Sequence, residues 1–152
     1  MIKILFICHG NICRSTLAQS VFTHKVASQG LSAHFLIDSA ATSTEEIGNP
    51  PHRGTVNKLR KVGIPLVPHR ARQVTWADYE KFDYIIGMDS ANIRNLNRML
   101  KGDPEGKIYK FLTAEAFCSA VYDEAARTPE QRQWLQLNYK LGIGLAYTFK
   151  NK

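Results

Sequence analysis

A cysteine and an arginine near the N-terminus have the residue types and the spacing that chemistry on a phosphate group requires. Residues 8–15 are CHGNICRS, so five residues separate Cys8 from Arg14. The planar guanidinium of an arginine binds two phosphate oxygens at once. A thiol beside such a cation ionises more readily, and a thiolate facing a bound phosphoryl group attacks phosphorus to form a cysteinyl-phosphate. The pair therefore predicts Cys8 as nucleophile and Arg14 as the phosphate-binding residue.

The sequence on either side of this segment favours a phosphate site. The apolar run MIKILFI precedes Cys8 and predicts a buried strand, while RSTLAQ begins a segment with helical spacing. A loop between a strand and a helix presents backbone N–H groups at the helix N-terminus, where they bind a phosphate dianion. Gly10 permits close approach of the backbone, and Ser15 can hydrogen-bond the thiolate. A buried structural cysteine is the commoner alternative, but this position favours the nucleophile.

The composition is that of a globular protein, with 44% hydrophobic and 22% charged residues among 152. We expect a single domain over residues 1–152. No stretch approaches the roughly 18 uncharged apolar residues of a membrane-spanning helix.

Three cysteines without an export signal indicate reduced thiols in the cytoplasm. The net charge of +7 suits a solvated surface or anionic partners; we expect neither nucleic acid nor membrane as partner, and a monomer or weak homodimer.

Short apolar runs suited to buried strands alternate with segments of helical spacing. The runs are IKILFI, FLI, YIIGM and KIYKFL, and the helical segments are 15–28, 52–62 and 90–101. Alternating strands and helices indicate βαβ units and a parallel sheet covered by helices on both faces. Ligands of such sheets bind beyond the carboxyl ends of the strands, which is where the CHGNICRS segment lies.

The segment ILFICHGNICRSTLAQSVF resembles the signature of the low-molecular-weight protein tyrosine phosphatases, V/I-C-x-G-N-I-C-R-S-P-x-A-E. Two later segments, IDSAATSTEEIGNPPHRGTVNKLRKVGI and PHRARQVTWADYEKFDYIIGMDSANIRNL, resemble further motifs of that family. The resemblance covers about residues 1–112. It implies a three-layer α/β fold of the flavodoxin-like type, with a four-stranded parallel sheet. It also implies a hydrolase of phosphotyrosine-containing proteins or aryl phosphates that uses neither cofactor nor metal.

The resemblance also implies roles for the matching positions, with Cys8 as nucleophile. The residues expected to bind the phosphate and the rest of the substrate are His9, Gly10, Asn11, Ile12, Cys13, Arg14 and Ser15. The network expected to shape the loop and steady the thiolate contains Asn11, Ser15, Ser39 and His69. Taken singly, each of these network residues has an ordinary structural explanation. Their joint occurrence in family order favours the functional one.

Two loop residues carry further expectations. Ile12 suits the flat ring of phosphotyrosine, whereas relatives specialised for phosphoarginine carry threonine at this position. Cys13 matches the second loop cysteine of the family, which forms a reversible disulfide with the nucleophile and so protects it from irreversible oxidation. Packing at the start of the helix is an equally good explanation of Cys13, and the sequence leaves both open.

The family's motif for the general acid is missing from this chain. The family places it in a D-P-[YW]-Y motif, which this chain lacks; its one Asp-Pro, at 103–104, precedes the last predicted strand and is expected to form a turn. Ungapped alignment at the usual spacing brings Asp123 to the position of the acid, with Glu124 and Glu115 as weaker substitutes. The alternative is an ordinary aspartate on a helix. The segment of about 113–152 is atypical of the family.

Three functions are compatible with these residues. The resemblance favours a phosphotyrosine phosphatase that acts through a cysteinyl-phosphate. Because the acid motif is missing, the alternative is a regulatory module that binds phosphate or phosphoproteins and turns them over poorly. A thiol-linked arsenate reductase shares the loop but needs further cysteines to carry the oxidising equivalent. Only Cys118 lies outside the loop, so this third function is less favoured.

Overall fold

The computed structural model describes residues 1–111, and residues 112–152 lie outside the described part. The elements are β1 (Ile2–Cys8), α1 (Arg14–Ser28), a 3-10 helix (Ser32–His34), β2 (Phe35–Ala41), α2 (Arg53–Lys61), α3 (Trp76–Lys81), β3 (Tyr84–Gly87), α4 (Ser90–Met99) and β4 (Ile108–Lys110). Every predicted strand and helical segment has its counterpart here. Within this part, no helix is both long and apolar enough to cross a membrane. The prediction of one domain over the whole chain extends further and stays a prediction.

The four strands form one parallel sheet in the order β2-β1-β3-β4. At the end of β1, Cys8 pairs with Ala41 of β2 and Ile7 pairs with Gly87 of β3. The carboxyl ends of these three strands therefore meet at one edge of the sheet, the edge at which ligands of such folds bind. The predicted four-stranded, flavodoxin-like α/β fold is confirmed.

β1 lies inside the sheet and is buried on both faces. Successive side chains of a strand face opposite sides, and Phe6 packs edge-to-face on Phe22 of α1, with ring centroids 6.0 Å apart. Leu5 and Ile7 face the other side, where α3 contributes Tyr79 and α4 contributes Leu96 to the core. That core contains Leu5, Ile7, Ala40, Val74, Tyr79, Phe82, Ile85, Leu96 and Leu100. Burial on both faces explains why the run before Cys8 is continuously apolar rather than alternating.

The short helix α3 is not predicted from the sequence, because six residues are too few to show helical periodicity. Its start is nevertheless specified locally by Thr75 and Asp78, which form a capping box. Arg72 joins this cap to the sheet. Its Nη1 donates to the Asp78 carboxylate over 2.9 Å, and its Nη2 donates to Asp38 of β2 over 2.8 Å.

We expect Asp78→Asn to destabilise the protein at pH 7 by about 1–3 kcal/mol, because it removes a charged acceptor from Arg72 and Thr75. Burial pushes the pKa of Asp78 up, but the hydrogen bonds from Arg72 and Thr75 together hold that pKa below its ordinary value of 3.8. A carboxyl with a lowered pKa stabilises the fold above its unfolded pKa, and loses that effect as the pH falls through its folded pKa. The difference in stability should therefore shrink below pH 3.8.

Urea unfolding at pH 7 and in steps down to pH 3 measures this difference. The matched control is Asp83→Asn, since Asp83 is exposed and the new amide oxygen can still accept from the Lys3 backbone N–H. The control should cost less than about 0.5 kcal/mol. Equal losses for the two variants would contradict the role given to Asp78.

Candidate active site

The segment 8–15 forms a loop at the carboxyl end of β1 and leads into α1. Three of its carbonyl groups accept hydrogen bonds from the backbone that follows β2. The pairs are Cys8 O with Thr42 N (3.0 Å), His9 O with Ser43 N (3.0 Å) and Ile12 O with His52 N (2.7 Å). These bonds hold the loop against the segment 42–52 along most of its length.

The Cys8 side chain is buried, with 3% of the residue exposed, and polar groups of the loop approach its sulfur. The Asn11 backbone N–H donates to Sγ over 3.3 Å, and Ser15 Oγ lies 3.0 Å from Sγ. Asn11 adopts φ 56°, in the left-handed region that asparagine enters more readily than most residues. Hydrogen-bond donors so placed stabilise the thiolate form of a cysteine.

The direction of each hydrogen bond around Asn11 follows from one backbone donor. The Arg72 N–H donates to Asn11 over 3.1 Å, which identifies the accepting atom as Oδ1. The Asn11 Nδ2 therefore donates to Ser15 Oγ and to Ser39 Oγ, each 2.9 Å away. The contact between Ser15 Oγ and Sγ has two possible directions while Cys8 is a thiol. A thiolate carries no proton, so in that form the Ser15 hydroxyl is the donor, and the sulfur then accepts from both Asn11 N and Ser15 Oγ.

Gln19 and His69 complete this network. Ser39 Oγ donates to Gln19 Oε1 over 2.7 Å, and His69 Nε2 lies 2.6 Å from Asn11 Oδ1. Since Oδ1 carries no hydrogen, His69 Nε2 must carry the one that joins them. Burial lowers the pKa of His69 below its ordinary value, and the attraction of Asp38 does not offset this. The ring is therefore neutral near pH 7.

Arg14 is exposed at the start of α1 and donates from Nη1 to the carboxylate of Asp89. Asp89 follows β3 and also caps α4, where it accepts from the Asn92 N–H over 2.8 Å. The hydrogen bond from Arg14, aided by the Asn92 N–H, holds the pKa of Asp89 below its ordinary value. Asp89 is not among the site residues expected from the sequence. Its place beyond the end of β3, at the edge where Cys8 lies, is the signal that would have found it.

The outer side of the loop faces two glutamates of the segment 42–52. His9 is exposed, and its Nε2 lies 3.2 Å from Glu45 Oε2. Gly10 lies so close to Glu46 that a Cβ at position 10 would stand 3.1 Å from Glu46 Cγ. Neither glutamate is expected from the sequence to belong to the site.

Ile12 and Cys13 occupy the middle of the loop. Ile12 is half-buried, while Cys13 is exposed just before α1. Both Cys13 and Cys8 are free thiols. The exposure of Cys13 disfavours a packing role, and its redox role stays a prediction. Within residues 1–111, no three His, Cys, Asp or Glu side chains are arranged to hold a metal ion.

The Asp-Pro at 103–104 and the candidate acids fall in different parts of the chain. Asp103 lies in the turn before β4, at the amino ends of the strands and thus opposite to the loop. It accepts hydrogen bonds from the backbone N–H groups of Lys107 (2.8 Å) and Ile108 (3.0 Å) and from the Tyr79 hydroxyl (2.7 Å). The predicted turn is confirmed, and Asp103 is not an acid for Cys8 chemistry. The acids expected from the sequence, Asp123, Glu124 and Glu115, lie outside the described residues.

Comparison with known proteins gives one consistent family. The family model described as low molecular weight phosphotyrosine protein phosphatase matches residues 3–127. The chain is 52% identical over 96 residues to the phosphatase of that name from Mus musculus, covering 63% of this chain and 60% of the relative. It is 48% identical over 99 residues to the low molecular weight protein-tyrosine-phosphatase YfkJ of Bacillus subtilis (strain 168), covering 65% and 64%. Each match thus spans less than two thirds of the relative's length.

The solved structures agree on the fold. The crystal structure of YfkJ from Bacillus subtilis matches with a TM-score of 0.70 at 35% identity, covering 90% of this chain and 89% of that chain. The low molecular weight protein tyrosine phosphatase of Streptococcus pyogenes matches with a TM-score of 0.68 at 34% identity, covering 95% of each chain. The family resemblance expected from the sequence is confirmed.

Proposed function

The chain belongs to the low molecular weight phosphotyrosine protein phosphatase family, and from this premise we propose that it hydrolyses phosphotyrosine through a cysteinyl-phosphate. The observation that carries the proposal is the set of polar groups that contact the Cys8 sulfur. That sulfur receives the Asn11 N–H and faces the Ser15 hydroxyl, 3.3 and 3.0 Å away, in the loop that ends at Arg14. A cysteine kept only for packing needs no such donors.

In the first step, the phosphoryl group binds to the loop and to the guanidinium of Arg14, which donates to Asp89 from Nη1 and carries five N–H groups in all. The Cys8 thiolate attacks phosphorus and forms the S–P bond, while the bond from phosphorus to the phenolic oxygen breaks. The leaving phenolate takes a proton from a general acid, for which we propose Asp123. Arg14 stabilises the charge on the phosphoryl oxygens throughout.

In the second step, water attacks the phosphorus of the cysteinyl-phosphate and gives a proton to the carboxylate that acted as acid. The S–P bond breaks, which restores the thiolate and releases inorganic phosphate. The Ser15 hydroxyl lies 3.0 Å from Sγ and also accepts from Asn11 Nδ2, and it donates to the thiolate as that thiolate leaves.

The half-buried Ile12 supports an aromatic substrate, because an apolar side chain at the loop favours the flat ring of phosphotyrosine or of another aryl phosphate. The loop contains two free thiols, the proposed nucleophile Cys8 and the exposed Cys13. Free thiols persist in a reducing compartment, and we propose that the protein acts in the cytoplasm. Under oxidation, a Cys8–Cys13 disulfide would protect the nucleophile.

Hydrolysis of p-nitrophenyl phosphate and of a phosphotyrosine peptide tests the proposal. We expect turnover of both by the wild-type protein. Asp123→Ala should lower turnover of the peptide at least about 100-fold, and that of p-nitrophenyl phosphate far less, because 4-nitrophenolate leaves without a proton. Glu124→Ala is the matched control. Loss of peptide turnover in the control, but not in Asp123→Ala, would give the acid role to Glu124 instead.

The second candidate function is a module that binds phosphate or phosphoproteins with impaired turnover. The observation that favours it is the missing Asp-Pro-aromatic motif. Hydrolysis of p-nitrophenyl phosphate without hydrolysis of phosphotyrosine peptides would indicate an impaired acid. Binding of inorganic phosphate with hydrolysis of neither substrate would establish the binding module and reject the phosphatase.

A further inference from the structure

Two glutamate side chains lie against the loop at which the proposed substrate's dianion binds. Glu45 Oε2 lies 3.2 Å from Nε2 of His9, the residue that follows Cys8. Glu46 packs its side chain on Gly10, where a Cβ would lie 3.1 Å from Glu46 Cγ. We refer to His9, Glu45 and Glu46 as the acidic rim.

The position of the acidic rim is set by the backbone. The Ser43 N–H donates to His9 O over 3.0 Å, two residues before Glu45. Glu46 is oriented by Asn49, whose Nδ2 donates to Glu46 Oε2 over 2.7 Å. The Glu45 side chain is 71% exposed, so its carboxylate is accessible to whatever lies beside the loop.

Negative charge beside a dianion site weakens binding of the phosphate itself. Arg70, which lies outside the segment 42–52, donates from Nη1 to Gly48 O over 3.0 Å, two residues beyond Glu46. The rim therefore disfavours substrates that are anionic around the phosphate and favours those that bring a cation with it.

We propose that Glu45 determines specificity, and that the acidic rim selects phosphotyrosine sites flanked by lysine or arginine over sites flanked by aspartate or glutamate. This inference rests on the proposed phosphatase function. Charge at a rim changes affinity and association more than chemistry, so the selection acts on kcat/KM through KM rather than through kcat.

Two phosphotyrosine peptides that differ only in having lysine or glutamate on both sides of the phosphotyrosine test the proposal. We expect kcat/KM to favour the lysine peptide about tenfold at low ionic strength, since each exposed charge pair contributes a factor of about two to five. The preference should fall in 0.5 M salt, a condition under which exposed charges are screened within about 4 Å. Glu45→Gln should move the ratio towards one, and Glu45→Lys should invert it.

Glu105→Gln is the matched control, because Glu105 is an exposed carboxylate paired with Lys107 before β4, at the opposite edge of the sheet. It removes the same charge and should leave the ratio at its wild-type value. An equal change in this variant would show a general effect of net charge and overturn the role of Glu45. A wild-type ratio near one would overturn it as well.

The affinity of Cys8→Ser for the same two peptides separates this inference from the proposed function. If the wild-type protein hydrolyses p-nitrophenyl phosphate but Cys8→Ser binds both peptides equally, the inference is wrong and the phosphatase stands. If nothing is hydrolysed but Cys8→Ser still prefers the lysine peptide, the phosphatase is wrong and the selection by the rim is supported as a binding property.

Discussion

Replacing Cys8 by serine is expected to lower turnover of p-nitrophenyl phosphate at least about 10,000-fold, because the hydroxyl is a far weaker nucleophile than a thiolate. The fold should be unchanged, since Cys8→Ser alters one atom and the Asn11 N–H can still donate to it. Affinity for inorganic phosphate should persist, because Arg14 and the loop backbone are intact. Steady-state kinetics, circular dichroism and calorimetric titration with phosphate measure these three properties.

The matched control is Cys118→Ser, which removes the one thiol outside the loop. We expect it to retain wild-type turnover. Phosphate trapped on the wild-type protein during turnover should map to Cys8. Turnover by Cys8→Ser within tenfold of wild type would reject Cys8 as the nucleophile.

Replacing Asn11 by aspartate is expected to lower turnover about 1,000-fold with little change in shape. Asn11 reaches the Cys8 sulfur through hydrogen bonds of 2.9 and 3.0 Å by way of Ser15, so the new charge would lie within about 6 Å of Sγ. Repulsion of the thiolate over that distance amounts to about 3 kcal/mol in a partly buried site. The Ser15 proton would also turn to the new carboxylate oxygen, which costs a further factor of about ten.

Asn11→Asp should also lower the free energy of unfolding by about 3 kcal/mol, because the new charge is buried and no lysine or arginine side chain is bonded to Asn11 in the described network. The matched control is Asn97→Asp, which introduces the same change on the exposed side of α4 and should leave turnover at the wild-type level. Steady-state kinetics measure turnover of both variants, and urea unfolding measures their free energies of unfolding. Wild-type turnover in Asn11→Asp would show that the direction of the Ser15 proton does not matter.

The elements that the sequence predicts are those with a periodic or local signal. β1 is recognisable as a continuous apolar run, and α1, α2 and α4 by their apolar spacing. α3 is missed because its six residues are too short, although Thr75 and Asp78 form a local cap that specifies its start. The order of the strands is not encoded in any one segment, and it is expected only from the resemblance.

The residues of the site also fall into those with a local sequence signal and those without one. Cys8, Arg14 and Ser15 lie in one segment between an apolar run and a helical segment, so their spacing and position together predict phosphate chemistry. Ser39 and His69 carry no signal of their own and are expected only from the family pattern. Asp89 and Glu45 are missed, because pairing of Arg14 with Asp89 and of His9 with Glu45 joins residues 75 and 36 positions apart in the chain. Charged residues are common on any surface, and only the folded sheet selects which of them face the loop.

The carboxylate of Asp89 gives Arg14 a tethered counter-ion before any substrate arrives. An arriving phosphate therefore meets a guanidinium whose charge the carboxylate already offsets in part. Because the bond to Asp89 uses Nη1, the same carboxylate also fixes the direction in which the other N–H groups of Arg14 point. The inhibition constant of inorganic phosphate measures the net effect of that carboxylate on the cation.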